Sequence, residues 1–216
     1  LRLVRRYKQA GYVVAVTGDG VNDALALAES NIGIAMGKSG TDVARESADM
    51  VIADDNIYTV VKAVAEGRGI FDNIVKVVVF LFSSNAAEFL VIFIGILIGL
   101  PIPLTPTMIL WVNLISDGLP ALALSTDKKR SGLLTQKPRD VHEQILNKKR
   151  FIFIAKITPP FAMFLIFLFA YSLLHTTEDI SRLIVFNALV IGEMIMVFVI
   201  RGGIRPINKF LIGGVF

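Results

Sequence analysis

Two rhythms of apolar and polar residues divide this chain. Over the first 73 residues, apolar runs of four or five alternate with stretches of helix length. The runs Val13-Val14-Ala15-Val16, Ile32-Gly33-Ile34-Ala35-Met36 and Met50-Val51-Ile52-Ala53 each lead into a turn signal: Gly18-Asp19-Gly20, Gly37-Lys38-Ser39-Gly40 and Asp54-Asp55-Asn56. Val21 to Glu29 and Thr41 to Ala48 predict helices between them. Short strands alternating with helices indicate βαβ units and a parallel sheet, hence an α/β domain. Three strands are too few for a complete doubly wound domain, so its first half is expected upstream of Leu1.

From Ile57 the pattern turns helical and runs through Gly67 and Gly69 without a proline, predicting a rod that leads into the second rhythm. There, four long apolar runs fall at about 77–100, 107–124, 151–174 and 183–200. At 1.5 Å per residue, 18 to 24 residues cover roughly 27 to 36 Å, enough to cross a hydrocarbon core of about 30 Å. A pair of buried soluble helices can mimic one such run, but hardly four in succession. Residues 1–73 are therefore read as a partial α/β domain. Residues 74–216 are read as an all-α transmembrane bundle with four spans, and Lys209 to Phe216 as the start of a fifth.

Composition agrees with a membrane protein. Of 216 residues, 54% are hydrophobic, and mean hydropathy is +0.67, too apolar for a soluble domain. The absence of cysteine excludes a disulfide scaffold and any cysteine-based zinc or redox site. A net charge of +4 gives no reason to invoke nucleic acid. With no initiator Met and no signal peptide, the chain reads as a piece of something longer. The loops then predict orientation. Residues 125–150 hold eight basic residues (Lys128, Lys129, Arg130, Lys137, Arg139, Lys148, Lys149 and Arg150) against three acids, and Arg201, Arg205 and Lys209 follow the fourth run. The 101–106 connection is uncharged, and 175–182 carries Glu178, Asp179 and Arg182. Positive loops mark the cytoplasmic side, which places the α/β domain there as well. The 125–150 loop is expected to be mostly solvated, with anionic lipid as a possible contact. His142 and His175 stand alone in loops and receive no role.

Two groups of residues carry chemistry. Thr17-Gly18-Asp19-Gly20-Val21-Asn22-Asp23-Ala24 lies at a strand's carboxyl end and opens a helix, the crevice where open α/β sheets bind ligands. Glycines on either side of Asp19 let backbone N–H groups approach an anion, so Thr17, Gly18 and Gly20 form the expected cofactor-binding turn. Carboxylates four residues apart would repel each other and a phosphate unless a cation sat with them, and magnesium suits that place. Spacing alone equally accommodates Asp19 as a helix cap and Asp23 as an ordinary first-turn acid.

The second group is in the apolar runs. An acid at the bilayer centre costs roughly 2.5–3.5 kcal/mol on insertion scales, and three are present: Glu88, Asp117 and Glu193. Each falls close to the middle of its run, so they are expected to converge inside the bundle. Asn85 lies one turn before Glu88, while Asn113, Ser116 and Asp117 share a helical face. Pro120 removes the N–H that would bond the Ser116 carbonyl, and Gly118 loosens the same turn, as in helices broken around a site. Packing glue would explain the amides and the serine, but not three carboxylates with no Lys or Arg at their depth. Asn85, Glu88, Asn113, Ser116, Asp117 and Glu193 offer roughly six to nine oxygens, against the six to eight that calcium takes. With no cysteine and no His in any run, a soft-metal site is excluded.

Both groups resemble one family. Thr17 to Ala24, with Ile32-Gly33-Ile34-Ala35-Met36-Gly37 and Gly40-Thr41-Asp42-Val43-Ala44, is similar to the hinge and C-terminal half of the phosphorylation domain of P-type cation-transporting ATPases. The resemblance implies a haloacid-dehalogenase-like fold and phosphorylation by ATP of an aspartate in a DKTGT motif, which this chain does not contain. Asp19 matches the family's magnesium-binding aspartate, Asn22 the asparagine that contacts the phosphoryl group, and Asp23 the supporting aspartate. Leu25 and Ala28 stand where the family usually has Pro and Lys, changing stiffness and charge beside the motif. Ser84-Asn85-Ala86-Ala87-Glu88 and Trp111 to Ala121 resemble the fifth and sixth membrane helices of calcium pumps of the sarcoplasmic-reticulum type. Asn85, Glu88, Asn113 and Asp117 match ion ligands there, Ser116 stands where such pumps often have Thr, and Glu193-Met194 resembles the eighth helix. The resemblance implies the C-terminal part of a calcium pump, inactive by itself, whose partners are lipid, the cation and the N-terminal remainder of the same chain. Pumps for sodium, protons or manganese share the framework. A non-catalytic cation-binding or regulatory membrane protein is the reading from another class.

Overall fold

The computed structural model describes residues 1–140 and 143–202. His142 and the expected start of a fifth span lie outside them. Two compact units divide the chain: Leu1–Arg68 with Gly132–His142, and Gly69–Ser131 with Glu143–Phe216.

The first unit is built on a small parallel sheet. Strands β1 (Ala15–Gly18), β2 (Ile32–Met36) and β3 (Met50–Ile52) lie in sequence order, with Thr17 beside Ile34 and Met36 beside Ile52. Helices α2 (Ala24–Glu29) and α3 (Asp42–Glu46) connect them, so the predicted βαβ alternation is present. Leu27, Ala35 and Ala44 form its small core. β1 begins two residues later than the apolar run, because Val14 is already engaged with Asn31: its N–H donates to Asn31 Oδ1 and its carbonyl accepts from Asn31 N. Helix α1 (Arg2–Gln9) went unpredicted; it buries only Val4 and is pinned to α2 by Arg5 and Lys8 on Glu29. Part of the basic loop belongs to this unit, where Arg68 donates to the carbonyls of Leu133 and Gln136.

The second unit is helical. Four helices among the described residues are long and apolar enough to cross a membrane: Ile57–Leu97, Pro106–Ser125, Lys148–Leu173 and Glu178–Arg201. The first, α4, is one continuous helix of 41 residues, as the missing proline predicts; Ile57–Arg68 fall in the first unit and Gly69–Leu97 in the second. The second span is interrupted. α5 (Pro106–Trp111) passes into a π-helical turn over Val112–Ser116 before α6 (Gly118–Ser125), and Asp117 N donates to Val112 O at 2.9 Å, five residues back. Pro120 cannot supply the N–H that an α-helix would give Ser116, so the break predicted at this turn takes a definite form. α7 (Lys148–Leu173) and α8 (Glu178–Arg201) extend beyond their apolar runs at the amino ends, where polar side chains continue the helix. Asn147 caps α7 by accepting from Arg150 N.

Packing fixes which face of each helix turns inward. α8 buries Ser181, Val185, Leu189, Glu193 and Val197, one residue in every four. α4 buries Phe80, Ser84, Ala87, Glu88, Val91 and Gly95 at helical spacing. Phe161 of α7 lies against Gly192 so closely that a Cβ there would stand 2.2 Å from the ring. That contact fixes α8 beside Glu193. At one end of the bundle, Asp127 is buried among cations: Arg201 Nε donates to its Oδ1 at 2.9 Å and Lys76 Nζ to its Oδ2 at 2.8 Å. Asn73 donates to the Ser125 and Asp127 carbonyls, tying α4 to the end of α6.

Candidate functional site

The motif of the first unit is a turn braced from within. One oxygen of Asp23 accepts from Asp19 N at 3.3 Å and from Gly20 N at 3.0 Å. The brace requires Gly18, since a Cβ at that position would lie 2.5 Å from Asp23 Cβ. The Asp19 carbonyl accepts from Thr41 N at 2.8 Å, so the segment beginning at Gly40 is held against the turn. Asp23 is therefore occupied in shaping the loop, while Thr17, Asp19 and Asn22 are exposed. The Asp19 carboxylate accepts no hydrogen bond among the described residues. An exposed carboxylate with no protein partner is the donor that magnesium takes when water and phosphate oxygens complete its shell. The residues fit that ion.

The three acids of the second unit meet. Glu88, Asp117 and Glu193 are all buried, and one oxygen from each lies within 4.8 Å of one from each of the others. Among the described residues they are the one group of three or more His, Cys, Asp or Glu placed to hold a metal ion. None of the three forms an ion pair there. Each has one oxygen fixed: Asn113 Nδ2 donates to Glu88 Oε2 at 3.1 Å, and Ser84 Oγ lies 2.9 Å from Asp117 Oδ1 and 2.5 Å from Glu193 Oε1. Each also has one oxygen that is buried without a partner: Glu88 Oε1, Asp117 Oδ2 and Glu193 Oε2. Two oxygens on opposite sides of a calcium ion, each bonded at 2.3–2.6 Å, stand about 4.6–5.2 Å apart, so the spacing suits a cation of that size.

Electrostatics points the same way. Two ionised carboxylates 4.8 Å apart repel by about 3 kcal/mol at an effective dielectric of about 20, and three such pairs are present. A cation among the oxygens reverses the sign of that interaction. The surroundings are apolar on both sides along the helices. Val91, Val112 and Leu189 belong to one buried cluster, and Phe80, Leu124 and Val197 to another, so each of the three acid-bearing spans carries its acid between two apolar contacts. The acids form a polar layer between two apolar clusters.

Residues 101–216 match the family described as cation transporting ATPase, C-terminus. The chain belongs to the cation-transporting ATPases. It is 39% identical over 228 aligned residues to a calcium-transporting ATPase of Bacillus subtilis, covering all of this chain and 25% of that protein. A probable cation-transporting ATPase F of Mycobacterium tuberculosis is 47% identical over 146 residues, covering 68% of this chain and 16% of that protein. An endoplasmic-reticulum-type calcium-transporting ATPase 3 of Arabidopsis thaliana is 49% identical over 144 residues, with 67% and 14% covered. The chain thus spans a quarter or less of the relatives described.

Within this chain of the cation-transporting ATPase family the expected residues fall unevenly. Glu88, Asp117 and Glu193 converge, Asn113 holds Glu88, and Ser116 is buried in the π turn. Asn85 is not brought to the cluster. It is exposed, and its Nδ2 donates to Leu81 O of its own helix at 2.7 Å. A shared face was expected from its spacing to Glu88, but the inward stripe of α4 runs through Ser84, Ala87, Glu88 and Val91, which turns Asn85 off it. Ser84 is the polar residue that sequence reasoning passed over. The signal was available, because Ser84 and Glu88 are spaced four apart, closer in azimuth than Asn85 and Glu88.

Proposed function

We propose that this chain is the C-terminal part of an ATP-driven pump that carries calcium, and that Glu88, Asp117 and Glu193 form the core of the transport site. The reading rests on the three buried carboxylate oxygens without protein partners. An acid in an apolar bundle costs several kcal/mol, and a transported cation is what offsets that cost in a membrane protein. Oxygen donors alone suit a hard cation, and the spacing suits calcium. The relatives named calcium-transporting ATPases support the same ion. Asn113 and Ser116 supply further oxygens in this reading; Asn85, turned off the inward face of α4, does not.

The first unit is proposed as the C-terminal half of a haloacid-dehalogenase-like phosphorylation domain, on the cytoplasmic side with the basic loops. Magnesium would be held by the Asp19 carboxylate and would supply charge neutralisation at the transferred phosphoryl group. Asp23 keeps the turn in shape, Thr17, Gly18 and Gly20 form its approach surface, and Asn22 is exposed beside it. The nucleotide and the phosphorylated aspartate belong to the remainder of the pump, so the chain alone is expected to be inactive. α4 links the two chemistries by continuity, since one unbroken helix enters both units and carries Ser84 and Glu88.

ATP-driven uptake of labelled calcium into vesicles by the complete pump tests the reading, with Asp117→Asn beside it. Uptake by the unsubstituted pump that Asp117→Asn abolishes, with insertion spared, is the expected result. ATP turnover without calcium uptake would move the cargo to manganese, sodium or protons. Uptake unaffected by Asp117→Asn would remove the cluster from the transport path.

A further inference from the structure

Ser84 has a place in the cluster that no acid shares. It is fully buried, and its hydroxyl touches two of the three carboxylates. Those three side chains come from three separate elements: Ser84 from α4, Asp117 from the end of the π turn, and Glu193 from α8. Local helix geometry therefore cannot set Asp117 against Glu193; a contact between helices must. The 2.9 Å and 2.5 Å contacts of Ser84 Oγ are that contact. Asn113 does the corresponding work for Glu88. The result is a regular division, in which one oxygen of each carboxylate is held by a neutral side chain and the other has no protein partner.

A neutral hydroxyl suits this task. It orients two carboxylates without neutralising either, so their charge remains available to a ligand, whereas a lysine or arginine there would consume it. With a single hydrogen, the hydroxyl donates to both carboxylate oxygens by sharing it in a three-centre bond. Its neighbour is built differently. Ser83 is equally buried, but its hydroxyl donates to the Val79 carbonyl of its own helix at 2.7 Å. Two adjacent buried serines thus separate helix chemistry from site chemistry.

We propose that Ser84 is a positioning residue for the transported cation: its hydroxyl fixes Asp117 and Glu193 in the orientation in which their remaining oxygens bind the ion. This rests on the transport-site reading above. Partners that orient metal-binding side chains contribute about 10- to 100-fold to affinity when removed, and Ser84 falls in that class.

The test is ATP-driven phosphorylation of the complete pump as a function of free calcium, in membranes, for the unsubstituted protein and for Ser84→Ala, Ser84→Thr and Ser83→Ala. Ser84→Ala is expected to raise the half-activating calcium concentration about 10- to 100-fold while the maximal phosphoenzyme level is retained at saturating calcium. Ser84→Thr, which restores the hydroxyl, recovers most of the affinity, and Ser83→Ala stays within about twofold of the unsubstituted pump. An unchanged half-activating concentration in Ser84→Ala overturns the proposal, and so does an equal shift in Ser83→Ala. If Ser84→Ala does not accumulate in the membrane, Ser84→Cys, similar in size and a weaker donor, gives the same comparison. Failure of the calcium assignment shows separately, as activation of the unsubstituted pump by manganese or sodium. The Ser84 titration is then read against that cation.

Discussion

Replacing Asp127 with Asn removes one charge from a site where the structure places two cations. The Asp127 side chain is 4% exposed and the Arg201 side chain 3%, with their atoms 2.9 Å apart; Lys76 Nζ stands 2.8 Å away on the other carboxylate oxygen. Burial alone would raise the Asp127 carboxyl, but hydrogen bonds and charge from Arg201 and Lys76 outweigh it and hold the group below its ordinary 3.8. Breaking a buried pair by removing one partner costs about 3–5 kcal/mol. For a helical unit of this size, 1 kcal/mol shifts the melting midpoint by roughly 2–4 °C, so Asp127→Asn should lower it by at least about 6 °C at pH 7. The assay is thermal unfolding of the detergent-solubilised complete pump, followed by fluorescence-detected size exclusion. Because the folded carboxyl titrates lower than the unfolded one, its contribution is complete above the ordinary value and is lost as pH falls through and below 3.8. The gap between variant and unsubstituted pump should hold between pH 5 and 8 and close in acid. A midpoint within about 1 °C of the unsubstituted pump at pH 7 would refute the reasoning, and the polar end of the bundle would then contribute little to its stability.

Two further outcomes follow from contacts described above. Asp19→Asn should raise the magnesium concentration needed for phosphoryl transfer in the complete pump about tenfold or more while leaving calcium affinity intact; a normal magnesium titration would take Asp19 out of that role. Gly192→Leu drives a side chain into the Phe161 ring and should cost about 1–3 kcal/mol, read as a lower melting midpoint, whereas Gly67→Ala, which meets nothing within 4 Å, should be neutral or stabilise by up to about 1 kcal/mol.

Periodicity made most of the architecture legible. The three strands, the unbroken α4 and the four spans follow from apolar runs and turn residues, because those patterns reflect burial on one face. α1 was not legible, since Leu3, Val4 and Tyr7 are interleaved with arginines and its only buried residue is Val4. The inward convergence of Glu88, Asp117 and Glu193 was legible from cost alone: three acids in apolar helices have nowhere else to go. Their partners were harder. Asn85 and Ser84 are both near Glu88 in sequence, and only the packing of α4 against α6 and α8 decides which one turns inward. The weakening of the second span could be read from Pro120 and Gly118, but not its form, because a missing N–H says that the ladder fails and not which carbonyl takes the next donor.

That form has a geometric consequence. A π-helical turn holds one more residue than an α-helical one, so Val112–Ser116 acts as a phase slip along the second span. Side chains up to Trp111 follow one screw, and those from Gly118 follow another, advanced by about 100°. Asp117 stands at the junction. Its azimuth toward Glu88 and Glu193 is set by the slip rather than by its own position in an uninterrupted screw. Removing one residue between Val112 and Ser116 would restore an ordinary α-helix and swing Asp117 about 100° relative to α5, with every side chain of the cluster still present. The alignment of the acids is thus stored in the pitch of the backbone, and a one-residue change in that pitch is the smallest motion by which this helix can alter who faces whom.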